Sequence, residues 1–179
     1  MADLLPEKWM KAMAVTTTVL GVVASIGSSR SSFYITKAQQ YTALEGSQWA
    51  YYQAKSIKQD LFVTQMRSLQ VQLAGATTPG QKDLMSQTIQ NASKDIVRYD
   101  QEKADIKKQA ETINKENVLL GKRGSQFSLS VVFAQIGIML SSVGLLLKRK
   151  ELWYVGLVMG AISLFFLANG FLLFLNLSF

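Results

Sequence analysis

Cysteine and histidine are both absent from this chain of 179 residues. Their absence removes disulfides, thiolate nucleophiles, imidazole general bases and the common zinc ligand sets together. Proline occurs only at Pro6 and Pro79, so little interrupts helix along most of the length. Charge is missing where apolar residues gather: no Asp, Glu, Lys or Arg lies in Phe127 to Leu147 or in Leu152 to Phe179. Ion and proton pathways through membranes usually carry such residues, which argues against a pump or coupled transporter. Basic blocks interleaved with stacking aromatics are also lacking, so the formal charge of +7 reads as lysines flanking membrane segments, and no nucleic acid is expected as a partner. The carboxylates are scattered along polar helix with no cleft to shift their acidity, so neither an enzyme nor a cofactor or metal is expected.

What is present is apolar sequence concentrated at the two ends. The runs "FSLSVVFAQIGIMLSSVGLLL" and Leu152 to Phe179 are each long enough to cross a hydrocarbon core of about 30 Å as helix. The stretch Ala12 to Gly27 is shorter, and Trp9 before it and Arg30 after it read as interfacial anchors. Lys8, Lys11 and the small residues near Ala24 would also suit a secretory signal peptide, but the segment is expected to be retained as a first span. Within "KRKE", Lys148 to Glu151, the chain must reverse, pairing the last two spans. Counting from its centre sets Gly144 level with Gly156, Gln135 with Ser163 and Leu164, and Ser130 with Asn169. Gly156 and Gly160, and Gly137 and Ser141, are small-xxx-small pairs that permit close helix approach, within the chain or between subunits. Gln135 and Asn169 read as helix-to-helix hydrogen bonds rather than a pore lining.

The middle of the chain is polar and carries one turn signal, "GATTPGQ", Gly75 to Gln81. Thr78 as N-cap, Pro79 in the first turn and Gln81 as capping-box partner predict a helix starting there. Arms of nearly equal length on either side predict two helices that leave one membrane face and return to it. On the second arm Met85, Ile89, Ala92, Ile96, Tyr99, Lys103, Ile106, Ala110, Ile113, Asn117 and Leu120 follow alternating steps of four and three, a heptad seam. On the first, Phe62, Met66, Leu69 and Leu73 continue backwards to Gln59, Lys55, Tyr52 and Gln48, with Ala50, Ala54, Ile57 and Leu61 as a neighbouring stripe. The fold class that follows is an all-α membrane protein: three transmembrane helices with a long antiparallel coiled-coil hairpin between the first and second. Its parts are an N-terminal segment and first span over 1–29, the extramembrane hairpin over 30–124 with its turn near 75–81, and a transmembrane helical hairpin over 125–179.

The segment "QWAYYQAKSIK", Gln48 to Lys58, is the unusual one. Folding the arms at the turn brings Lys55 beside Asp100 and Tyr52 beside Lys103, predicting an ion pair and an ammonium against a phenol ring. Polar residues on a heptad seam, with Lys103 and Asn117 as the interruptions, commonly fix register at a cost in stability. The competing reading is a partner or ligand site built from Trp49, Tyr51, Tyr52, Lys55 and Lys58. An interfacial belt explains them poorly, since a straight helix carries Lys55 roughly 35 Å beyond the bilayer edge.

Trp49, Tyr52, Gln53, Ala54, Lys55, Ser56 and Lys58, together with the closing spans from Val131 through Leu173 and "LWYVGLVMGAISL", resemble an uncharacterised bacterial membrane family, domain of unknown function 4337. The resemblance implies the topology and a bacterial origin, and no activity. The expected function is a structural or interaction protein of the bacterial inner membrane. It would self-associate into a homo-oligomer through the hairpin and transmembrane helices, with the lipid bilayer as its other partner. The alternatives are a channel or pore-forming oligomer and an accessory subunit docking onto a larger membrane complex. Lys148, Arg149 and Lys150 in a short loop place that loop in the cytoplasm and the hairpin on the opposite side.

Overall fold

The computed structural model describes residues 8–173; the start of the N-terminal segment, 1–7, and the end of the last apolar run, 174–179, lie outside the described residues. The described residues form three helices and no strand: α1 (Lys8–Gly75), α2 (Pro79–Leu147) and α3 (Lys150–Leu172). Each holds a stretch long and apolar enough to cross a membrane.

Both breaks have local causes. α1 stops at Gly75, and α2 starts at Pro79, whose missing N–H costs nothing at a first helical position. The capping pair forms, though side chain to side chain: the Thr78 hydroxyl donates to Gln81 Oε1 at 2.6 Å. Between α2 and α3 the expected four-residue connector is only two residues long. Lys148 takes a left-handed conformation (φ 51°), Arg149 N–H bonds the Gly144 carbonyl at 3.0 Å and Lys148 N–H reaches the Leu145 carbonyl. That is the Schellman pattern, with lysine where glycine is usual.

The described residues pack as two units, residues 40–116 and residues 8–39 with 117–173. In the first, every seam position of α2 from Met85 to Ile113 is buried or half-buried, as is every α1 seam position from Gln48 to Leu73. Partners fall on α2 as they rise on α1: Glu45 meets Asn114, Tyr52 meets Lys103, Gln59 meets Ile96. A period of 3.5 residues keeps one stripe of each helix on the other, and each large apolar side chain fully buried there stabilises by about 1.5–3 kcal/mol.

The second unit is built the other way round. Its interior is small and polar: Gly27, Gly124, Ser130, Ser141, Gly156, Ser163 and Asn169 are buried, around Met13, Leu20 and Phe127. Its exterior is apolar, with Val15, Val22 and Met139 more than half exposed. A Cβ on Gly137 would lie 3.0 Å from the Gly156 carbonyl oxygen, one on Gly160 2.9 Å from Leu20 Cδ2, and one on Gly27 2.9 Å from Val131 Cγ2. The small residues therefore let all three helices approach within this chain. The level of α3 against α2 differs from the count made on the sequence. Ser163 bonds the Ser130 carbonyl at 2.8 Å, Asn169 donates to Gln126 Oε1 at 2.9 Å, and Gly156 lies against Gly137 and Ser141 rather than Gly144, which packs on Leu152. Gln135 is exposed rather than bonded across to α3. The shorter connector draws partners toward the turn.

Candidate interaction site

The aromatic and polar segment of α1 lies on the seam of unit 40–116. Helical spacing puts Tyr52, Lys55 and Gln59 on its inner face and leaves Tyr51 and Lys58 outside. Opposite them α2 supplies Ile96, Tyr99 and Lys103, with Asp100 and Glu102 on the flanks. Gln59 is the centre of the layer and only 8 % exposed. Its amide donates to Asp100 Oδ1 at 2.7 Å and to the Ile96 carbonyl at 3.3 Å, and its carbonyl accepts from Lys103 Nζ at 2.8 Å. The same ammonium stands 5.4 Å from the centre of the Tyr52 ring, the contact expected from the folded register.

Lys55 differs from the expectation. It pairs with Glu102 at 2.5 Å, while Asp100 serves Gln59. Both helices tilt their side chains toward their own N-termini, so a spot on α2 is covered by a residue C-terminal to the one counted level with it. Lys55 also lies 5.2 Å from the Tyr51 ring centre and 5.3 Å from that of Tyr99. Its hydrogen bond to Glu102, then that to Tyr51, hold the Lys55 ammonium above its ordinary pKa despite partial desolvation. The same bond, with the nearby charges of Lys55, Arg98 and Lys58, lowers the Glu102 carboxyl. Arg98 closes the edge, bridging Asp95 at 2.9 Å and Glu102 at 3.6 Å.

Gln59, Tyr99 and Glu102 are therefore the members that the sequence reading did not single out. Gln59 was visible as a polar residue on the seam; Glu102 was not, because flanking charges of a heptad look alike. Trp49 sits apart from the layer's charges, edge-on to Tyr52 at 5.7 Å, with its indole N–H to Glu45 at 3.4 Å. Asn114 donates to both oxygens of Glu45, at 3.1 and 3.2 Å. These residues, with Glu111 and Lys115, line an open groove of about 320 Å³ whose charges are of both signs. Asn117 is half-buried at its seam position, in the other unit. Among the described residues no three carboxylates, imidazoles or thiolates converge where a metal ion could be held.

The sequence profile described as "Domain of unknown function (DUF4337)" matches residues 9–173, which takes in the polar layer and all three helices. The chain belongs to that family. No curated protein and no solved structure matches it. In this DUF4337 chain the segment that carries the resemblance divides by face: Tyr52 and Lys55 point into the α1–α2 seam, whereas Trp49, Tyr51 and Lys58 remain exposed.

Proposed function

We propose that this DUF4337 protein is a non-enzymatic, membrane-anchored structural or interaction protein of the bacterial inner membrane. Its three apolar helical stretches cross the bilayer, and α1 and α2 continue outside it as an antiparallel coiled-coil hairpin that self-associates. The observation that carries this reading is the inward use of the polar layer. Gln59 hydrogen-bonds both Asp100 and Lys103, Lys55 pairs with Glu102, and the Lys103 ammonium faces the Tyr52 ring, so the layer ties α1 to α2, which is what fixing the register of two helices requires. The inverted packing of the second unit, small and polar inside and large and apolar outside, supports the membrane assignment, because helices in lipid associate through close approach and hydrogen bonds. The basic residues Lys148, Arg149 and Lys150 in the short α2–α3 connector support a cytoplasmic position for it and the far side for the hairpin.

The test is the mass and composition of the particle extracted from native membranes. An integer multiple of the 19.9 kDa chain alone supports self-association, and a monomer refutes it. A second reading, an accessory subunit of a larger complex, is favoured by the exposure of Tyr51 (51 %) and Trp49 (36 %); an unrelated protein at fixed stoichiometry would establish it instead.

A further inference from the structure

We infer that two copies of this chain meet along the outer stripe of α1, residues 43–71, with their α1 helices parallel and level. This rests on the self-association proposed above and names its surface. Two positions C-terminal to the inner seam residues of α1 from Gln48 to Leu69, the sequence holds Ala50, Ala54, Ile57, Leu61, Thr64, Ser68 and Val71; the same steps continue back through Ser47 to Ala43, and every one of these positions is exposed. Ile57, Leu61 and Val71 are 62 %, 65 % and 76 % exposed. The stripe runs about 42 Å along the helix. The outer faces of helices in a coiled coil are normally charged. α2 obeys that rule with Lys94, Lys108, Glu111 and Lys115 at the positions flanking its own seam, and α1 does not.

Two features of the stripe select a second copy over another occupant. Its steps of four and three repeat the 3.5-residue period of the inner seam, so what covers it is a helix of matching period. Copies anchored the same way up in one bilayer are related by a rotation about the membrane normal, which sets α1 parallel to α1 with Ile57 against Ile57. In that geometry the charges beside the stripe pair across as Gln53 with Lys58, Asp60 with Gln65 and Arg67 with Gln72. None is a like-charge pair, so nothing along the stripe opposes the association. Ala50 and Ala54 at its centre permit close backbone approach.

The absence of native cysteine makes the test direct. Single substitutions Ala54→Cys, Leu61→Cys and, as a control on the outer face of α2, Gln90→Cys are made in the full chain, oxidised in native membranes and resolved without reductant. A disulfide needs the two Cβ atoms within about 4.5 Å. Ala54→Cys and Leu61→Cys are expected to give a covalent dimer, and Gln90→Cys to remain single. If the extracted particle is an oligomer of this chain but neither stripe variant crosslinks, the inference falls and self-association stands; if the particle is a monomer, both fall. A crosslink from all three positions alike would equally overturn the assignment to α1.

Discussion

Replacing Lys103 by isoleucine isolates the worth of the polar layer. Area alone favours the change: an aliphatic chain on an otherwise apolar seam gains about 1.5–3 kcal/mol when fully buried. Against that, the carbonyl of Gln59 loses the ammonium that donates to it at 2.8 Å, and Gln59 is 8 % exposed. A buried acceptor without a donor costs about 1–3 kcal/mol. The two effects cancel to within about 1 kcal/mol, so Lys103→Ile alone is expected to melt close to wild type. Gln59→Leu releases Asp100 and Lys103, but Asp100 is exposed and Lys103 half-buried, so both reach water. In the double variant no acceptor is orphaned and both apolar gains remain. It should therefore exceed the sum of the single effects by about 1–3 kcal/mol, the relieved orphan cost. In a chain of this size each kcal/mol moves the melting temperature by about 2–4 °C. Circular dichroism melts of the four proteins, full-length in one detergent, close the cycle. Additivity within about 0.5 kcal/mol would refute the argument, since residues in one hydrogen-bonded network cannot act independently.

Acidity tests the flank of the same layer. Glu102 is lowered by its bond to Lys55, so its contribution is complete above the ordinary glutamate pKa and is lost as pH falls through the lowered value; Lys55 is raised, so its share disappears only on the alkaline side. The melting-temperature gap between wild type and Glu102→Gln should accordingly be constant at neutral pH and shrink below the glutamate range; a gap independent of pH down to acid unfolding would contradict it. Among the close-packed glycines, Gly137→Ala and Gly156→Ala should each cost about 1–3 kcal/mol in thermal melts, because the added Cβ meets backbone oxygen at 3.0 Å. Gly160→Ala should cost less, as it meets the movable end of Leu20, and equal losses at all three would count against the helix spacing. Ser141 is buried with its hydroxyl unpaired, so Ser141→Ala should be neutral or stabilising in the same assay. Lys148→Gly should raise stability by about 0.5–1 kcal/mol by removing the side chain from a left-handed residue, and a loss would show that the turn needs the lysine.

The parts legible in the sequence are those where one residue type has one physical use. Thr78 before Pro79 marks a helix start, and the four-and-three steps from Met85 to Ile113 mark a buried stripe, because no other arrangement satisfies them so fully. The levels between helices were less legible, since they depend on loop length and on where long side chains lean. Two connector residues in place of four move Ser163, not Asn169, onto Ser130, and the tilt of side chains toward each N-terminus gives Lys55 to Glu102 instead of Asp100. The small residues of the apolar segments showed that close approach was possible, but not which helix would use it; Gly156 and Gly160 turn out to serve different neighbours, α2 and α1.

The same distinction bears on function. Rings, amides and lysines crowded into three turns resemble a recognition site when read along the chain, yet the helix sorts them by face, and the face with the richest chemistry is the one turned inward. Gln59 joins Asp100 to Lys103 and Lys55 takes Glu102, so the polar groups of the layer are engaged across the seam, as a register lock requires. What α1 presents outward between 43 and 71 is chemically plain and regular in spacing. Selectivity in such a surface comes from matching its period over many turns rather than from any one residue, which is why truncating Ile57 and Leu61 together should weaken association of copies while leaving the inner seam and its polar layer intact.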